Sequence, residues 1–132
     1  MVVKKAPLAL LSGEVGSGRQ LGRELGFPTA NLAVAEGVSV ANGVYVAEAE
    51  VDGECYRAMA NLGVNPSVGG DERHLEVHLF DYHGASLYGK RLSVRLLHFL
   101  REERCFASLE ALRAQLDADK KASLAYFSQT DC

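Results

Sequence analysis

The sequence predicts a mainly β domain, a small antiparallel barrel or sandwich followed by one C-terminal helix. Three observations carry that reading. From Val44 to Phe99, apolar and polar residues alternate in short runs, the period of a half-buried strand. Turn residues punctuate the runs. After Ser108 the apolar spacing lengthens to that of a helix. A barrel is favoured over a sandwich because closure removes exposed edges and leaves loops at one mouth for function.

Each element follows in order. Lys4 and Lys5 before Ala6–Leu11 resemble a short signal peptide, but Ser12 and Gly13 interrupt the apolar stretch, and a first strand is expected there. Tyr45, Ala47, Ala49 and Val51 share one face of a strand, with Glu48 and Glu50 on the other. Asp52-Gly53 signals a hairpin turn, and Cys55–Asn61 is its return strand. A loop from Gly63 to Asp71 carries Asn65-Pro66 and Gly69-Gly70, and the next strand runs from about His74 to Phe80. It turns through Asp81-Tyr82-His83-Gly84. Arg91, Ser93 and Arg95 then alternate with Leu92, Val94 and Leu96 in a last long strand. Ser108 caps the helix, with Glu110 in its first turn. Leu109, Leu112, Leu116, Leu124 and Phe127 form its packing stripe.

A chain of 132 residues fits one domain over 1–132 with a substantial core. A net charge of −3 disfavours a nucleic-acid surface, and no apolar run reaches the roughly 20 residues of a membrane-spanning helix. Cys55, Cys105 and Cys132 are odd in number and widely spaced, which argues against a disulfide framework or a zinc site and fits a reducing, cytoplasmic setting.

The most informative stretch is Gly26-Phe27-Pro28-Thr29-Ala30-Asn31-Leu32, reached through Gly13, Gly18 and Gly22. Glycines let main-chain N–H groups approach an anion. Pro28 fixes its own φ and extends Phe27. Thr29 and Asn31, at i and i+2 of an extended chain, place two neutral oxygens on one side, as a hard cation such as Mg²⁺ requires. Turn formation accounts for any single glycine, but it does not require so long a spaced series followed by Thr-x-Asn.

Leu75, Val77 and Leu79 point to the core, so Glu76, His78 and Phe80 point the other way. Glu76 is thus either a solvated strand residue or a general base on a rigid strand, and His78 reads as a structural or surface histidine. His74, His83 and His98 have no metal-binding spacing. Leu100-Arg101-Glu102-Glu103-Arg104-Cys105-Phe106 joins the last strand to the helix. Its charges either solvate a loop or, through Arg101, Glu103 and Phe106, bind an aromatic, hydrogen-bonding ligand.

Taken in order, these pieces resemble the riboflavin kinase family. The resemblance is carried by Gly13-Glu14-Val15, Gly18, Gly22 and Leu25-Gly26-Phe27-Pro28-Thr29-Ala30-Asn31-Leu32. Gly43-Val44-Tyr45, Asn61-Leu62-Gly63, Leu75-Glu76-Val77-His78-Leu79-Phe80-Asp81 and Leu87-Tyr88-Gly89 extend it. Arg101-x-Glu103 with Phe106, and Ser108-Leu109-Glu110, complete it over about residues 11–127. Three residues, at two places, depart from the family's common pattern. Asn65-Pro66-Ser67 stands where Arg-Pro-Thr is common, and Cys105 where a Lys or Arg precedes Phe106.

The resemblance implies a six-stranded antiparallel β-barrel of Greek-key type with a C-terminal helix. It implies transfer of the γ-phosphoryl group of ATP to the 5′-hydroxyl of riboflavin, giving FMN and ADP. Thr29 and Asn31 would hold Mg²⁺, and the loop from Gly13 to Gly26, with Pro28, would wrap the nucleotide phosphates. Glu76 would accept the ribityl proton, and Arg101, Glu103 and Phe106 would close over the flavin. FAD synthetase activity would lie elsewhere or on an N-terminal domain for which Met1–Leu11 leaves no room. A flavin-binding module without catalysis is the alternative; it does not require Thr29, Asn31 and Glu76 together. No nucleic-acid or membrane partner is expected.

Overall fold

The computed structural model describes residues 7–16, 29–34, 38–64, 73–84 and 86–130. Six strands form one antiparallel sheet: β1 (Ala9–Glu14), β2 (Thr29–Ala33), β3 (Gly43–Val51), β4 (Glu54–Val64), β5 (Arg73–Leu79) and β6 (Arg91–Arg101). The helix, α1, spans Leu109–Thr130.

The strand order is β1-β6-β3-β4-β5-β2. Strands β3, β4 and β5 follow one another side by side, and β6 returns to lie beside β3, which is a Greek key. The sheet curls until its two edge strands meet, where the Gly16 N–H donates to the Asn31 carbonyl at 2.9 Å. The sheet is thus a curled half-barrel whose two edges are joined, among the described residues, by that bridge.

The β3–β4 hairpin turns at Asp52 (φ 53°) and Gly53 (φ 79°), the pair of positive φ values that a two-residue primed turn requires. Strand β1, expected around the apolar stretch before Ser12, continues to Glu14, with Ser12 and Gly13 paired to Ser93 and Leu92 of β6. Strand β4 likewise continues to Val64 through pairing with β5.

Alternation fills the barrel. Ala47, Ala49, Ala58, Ala60, Leu62, Leu75, Val77, Leu79, Leu92, Val94 and Leu96 pack in one buried cluster. Met59 on the opposite face of β4, and Phe80 just after β5, meet Leu112 and Leu116 of α1 outside the barrel.

The helix begins where the Ser108 hydroxyl accepts the Ala111 N–H at 3.1 Å. Its inward stripe differs from the expected one: Leu109 and Leu124 are exposed, whereas Leu116, Asp119, Ser123 and Phe127 are buried. Positions 116, 119, 123 and 127 keep helical spacing, so two polar side chains occupy places that an apolar stripe assigns to leucine.

Strand β6 bends at its end. Its register against β3 shifts between Val44 and Tyr45 and again between Val46 and Ala47, skipping Leu100 and Leu97 on β6. Gly43 sits at this bend with φ 154°, and a Cβ there would strike the Phe99 ring and the Arg101 carbonyl. Gly43→Ala is expected to destabilise the protein by about 1–3 kcal/mol, read by chemical denaturation. An unchanged midpoint and slope would show that the bend tolerates a side chain.

Among the described residues, no helix is long and apolar enough to cross a membrane. Cys55 and Cys105 are exposed free thiols.

Candidate active site

The three adjacent strands β2, β5 and β4 bring polar residues into rows. Their registers place Asn31 opposite Glu76, and Glu76 opposite Asn61. Directly opposed residues share a face, so these side chains form one line on the outer wall of the barrel. Thr29, His78 and Met59 make the neighbouring row, and Ala33, His74 and Gly63 the row beyond.

A cavity of about 400 Å³ opens over these rows. Asn31, Asn61, Glu76, Arg101, Glu103 and Phe106 line it, with Leu112 and Leu116 of the helix on the opposite side. That volume suits a cofactor-sized ligand. The cavity lies between the outer sheet face and the helix. The sequence had suggested loops at a barrel mouth, but the barrel interior is filled by the apolar cluster and has no room.

Two atoms on the wall are conspicuous. Asn61 Oδ1 and His74 Nε2 are buried with no hydrogen-bond partner. Such an orphaned atom costs about 1–3 kcal/mol, a penalty a ligand with matching groups removes.

His78 is buried at 3% exposure. Its Nδ1 lies 3.1 Å from Thr29 Oγ1, and its Nε2 lies 3.2 Å from Glu76 Oε1. The Glu76 side chain keeps 30% of its surface accessible, toward the cavity.

Arg101 belongs to β6 rather than to a loop. Its Nε donates to Asp119 Oδ1 at 2.9 Å and its Nη2 to Asp119 Oδ2 at 2.8 Å, a forked pair between strand and helix. Gln115 Nε2 donates to the same carboxylate at 2.9 Å. The guanidinium carbon stands 5.9 Å from the centroid of the Phe106 ring, within cation–π reach.

The Glu103 carboxylate packs onto the backbone of Gly63, in the space a Cβ would fill. Burial raises its pKa, while Arg101 and Arg73 pull it back. A carboxylate raised in the folded state is favourable below the unfolded value of 4.5, and the advantage is lost as pH rises through the folded pKa. Glu103→Gln is therefore expected to raise Tm slightly at pH 7, the gain shrinking toward pH 4. A Tm that falls at pH 7 would contradict this.

The structure thus brings Asn31, Glu76, Arg101, Glu103 and Phe106 to one cavity. Thr29 joins through His78. Gly13 lies within β1, paired with Leu92, and a Cβ on it would meet only Leu32 at 4.0 Å. It is a strand residue near the end of β1. Gly18, Gly22, Gly26 and Pro28 lie outside the described residues, as do Asn65 and Ser67.

Sequence reasoning missed Asn61, His74, His78 and Asp119. His74 and His78 share the face of Glu76 by strand alternation alone, whereas Asn61 joins them only through the β4–β5 register. Asp119 falls three residues after Leu116, and a charged residue at a core-facing helical position was its available signal.

The riboflavin kinase family model matches residues 7–127. A bifunctional riboflavin kinase/FMN adenylyltransferase of Pseudomonas fluorescens is 45% identical over 116 residues, 87% of this chain and 37% of that protein. An RNA-binding riboflavin kinase of Bacillus subtilis (strain 168) is 42% identical over 113 residues, 85% of this chain and 48% of that protein. This chain therefore spans less than half the length of either. A solved riboflavin kinase from Trypanosoma brucei matches with a TM-score of 0.63 at 23% identity, over 90% of this chain and 79% of that one. At that identity the likeness concerns the fold.

Proposed function

The chain belongs to the riboflavin kinase family, and from that premise we propose that the outer-wall cavity transfers the γ-phosphoryl group of ATP to the 5′-hydroxyl of riboflavin. The observation that carries the proposal is the direct pairing of Asn31 with Glu76 beneath a cavity that Arg101, Glu103 and Phe106 also line. One residue type suits a phosphate-bound cation, the other a hydroxyl proton, and they are cross-strand neighbours.

In the proposed reaction the ribityl oxygen attacks the γ-phosphorus. Its bond to phosphorus forms as the bond to the ADP oxygen breaks, and the hydroxyl proton passes to Glu76. Phosphoryl transfer asks a protein mainly for positioning and charge stabilisation. Strand β5, hydrogen-bonded on both sides, supplies the positioning of Glu76. Phe106 and Arg101 offer flat surfaces for a flavin, and the unpartnered Asn61 Oδ1 and His74 Nε2 offer it or the nucleotide polar contacts. Main-chain groups around Gly18, Gly22, Gly26 and Pro28 are proposed to cradle the phosphates.

The donor set fits Mg²⁺, a cation that takes oxygen ligands and keeps several waters. Thr29 and Asn31 lie on the outer face of β2, opposite the buried Ala30 and Leu32, and Asn61 Oδ1 is an acceptor in the same row as Asn31. Thr29 and Asn31 are the residues proposed to hold the ion, which would neutralise charge on the nucleotide phosphates. FMN adenylylation is assigned to another domain or protein. The exposed thiols of Cys55 and Cys105 suit the cytoplasm.

Incubation with riboflavin, ATP and Mg²⁺, followed by chromatographic detection of FMN, tests the proposal. FMN formation is expected, and Asn31→Ala is expected to raise the KM for Mg·ATP by roughly 10–100-fold. Flavin binding with no FMN formed from any nucleoside triphosphate would favour a non-catalytic flavin module.

A further inference from the structure

We propose that His78 is a positioning residue whose two ring nitrogens set both the Glu76 carboxylate and the Thr29 hydroxyl; this rests on the roles proposed above for those two residues. Glu76 and Thr29 stand on different strands, in different rows. Nothing in the ladder couples their side chains, and the imidazole spans the gap: Nε2 to Glu76 Oε1 at 3.2 Å, Nδ1 to Thr29 Oγ1 at 3.1 Å.

The chemistry of the partners fixes the protons. A carboxylate oxygen accepts, so in the tautomer that satisfies both partners the ring proton sits on Nε2 and is donated to Glu76. Nδ1 is then an acceptor, and the Thr29 hydroxyl donates to it. With that proton committed, the remaining contacts of Thr29 Oγ1 are made by its lone pairs, the form a cation ligand must have. On the other limb, one carboxylate oxygen is anchored and Oε2 is left to meet the substrate hydroxyl. Burial at 3% exposure, beside Met59 in the adjacent strand, holds the ring in one place. An apolar side chain would fill the same space without orienting either group.

Three substitutions separate the limbs. His78→Phe removes both nitrogens, whereas Asn reaches about as far as Nδ1 and Gln about as far as Nε2. His78→Phe is expected to lower kcat by roughly 10–100-fold with the riboflavin KM within about twofold, and to weaken the Mg²⁺-dependent gain in ADP affinity, measured calorimetrically without flavin, by about tenfold. His78→Gln should recover mainly kcat, and His78→Asn mainly the Mg²⁺-dependent ADP affinity. Equal losses in Asn and Gln variants of wild-type Tm would overturn the proposal, and that pair decides the matter if His78→Phe does not fold. Glu76→Gln separates the two levels of reading. Normal turnover there sinks the base assignment and this inference with it. A slow Glu76→Gln beside a His78→Phe with wild-type kcat and ADP binding sinks the inference alone.

Discussion

Glu76→Gln is expected to lower kcat by roughly 10²–10⁴-fold while riboflavin and ATP affinities stay within a few-fold of the parent. The amide keeps the size and the cavity-facing position of the carboxylate, but it cannot take up a proton at neutral pH. Its carbonyl still accepts from His78 Nε2, so the contact at 3.2 Å survives and the fold is undisturbed. The loss should therefore appear in turnover, not in binding, the pattern of an interaction made only in the transition state. Single-turnover measurement with saturating riboflavin gives the clearest reading. A rate within twofold of the parent would remove Glu76 from the chemistry and leave Asn31 and the cavity as a binding site only.

Asp119→Ala is expected to produce the largest loss of stability, about 3–5 kcal/mol, because it leaves a buried guanidinium without its counter-charge. The Arg101 and Asp119 side chains are 16% and 5% exposed, and they meet through three hydrogen bonds. A Tm decrease on the order of 10 °C or more should follow. The double variant Arg101→Met/Asp119→Leu replaces the ion pair by apolar contact and should recover most of the loss, as buried pairs often allow. That double variant also separates the two uses of Arg101: stability returns, while flavin affinity stays low if the guanidinium contacts the flavin. A single variant within 2 °C of the parent would mean that water reaches the pair.

Much of this fold is written in short-range patterns. The alternation through Tyr45, Ala47, Ala49 and Val51, and through Leu75, Val77 and Leu79, reports one face buried in a barrel, and it places Glu76 outside. Asp52-Gly53 and Ser108 act through local backbone geometry, so they are legible without tertiary context. The end of β6 is different. Leu96-Leu97-His98-Phe99-Leu100 has no clean period, since two bulges reset which face each residue takes, and only pairing with β3 determines where they fall. Leu109 and Leu124 were placed on the helix stripe by their hydrophobicity, but the sheet surface they would meet is occupied through Asp119 and Ser123. The cavity itself is a product of that packing. Its residues come from β2, β3, β4, β5, the end of β6, the segment that follows it and α1, and no window of sequence contains the row Asn31–Glu76–Asn61.

The bridge that joins the two sheet edges also bears on ligand entropy. Gly16 and Asn31, well separated in the chain, are joined by a backbone hydrogen bond. Bringing the ends of such a stretch together carries a loop-closure cost that grows only slowly with length. Here folding has already met it. A ligand bound beside Asn31 meets both ends of that stretch already held together. Weakening the seam, for instance with Gly16→Pro, which removes the donor N–H, would return part of that closure cost to the binding step. It would appear as a lower nucleotide affinity in a protein whose apolar interior is untouched.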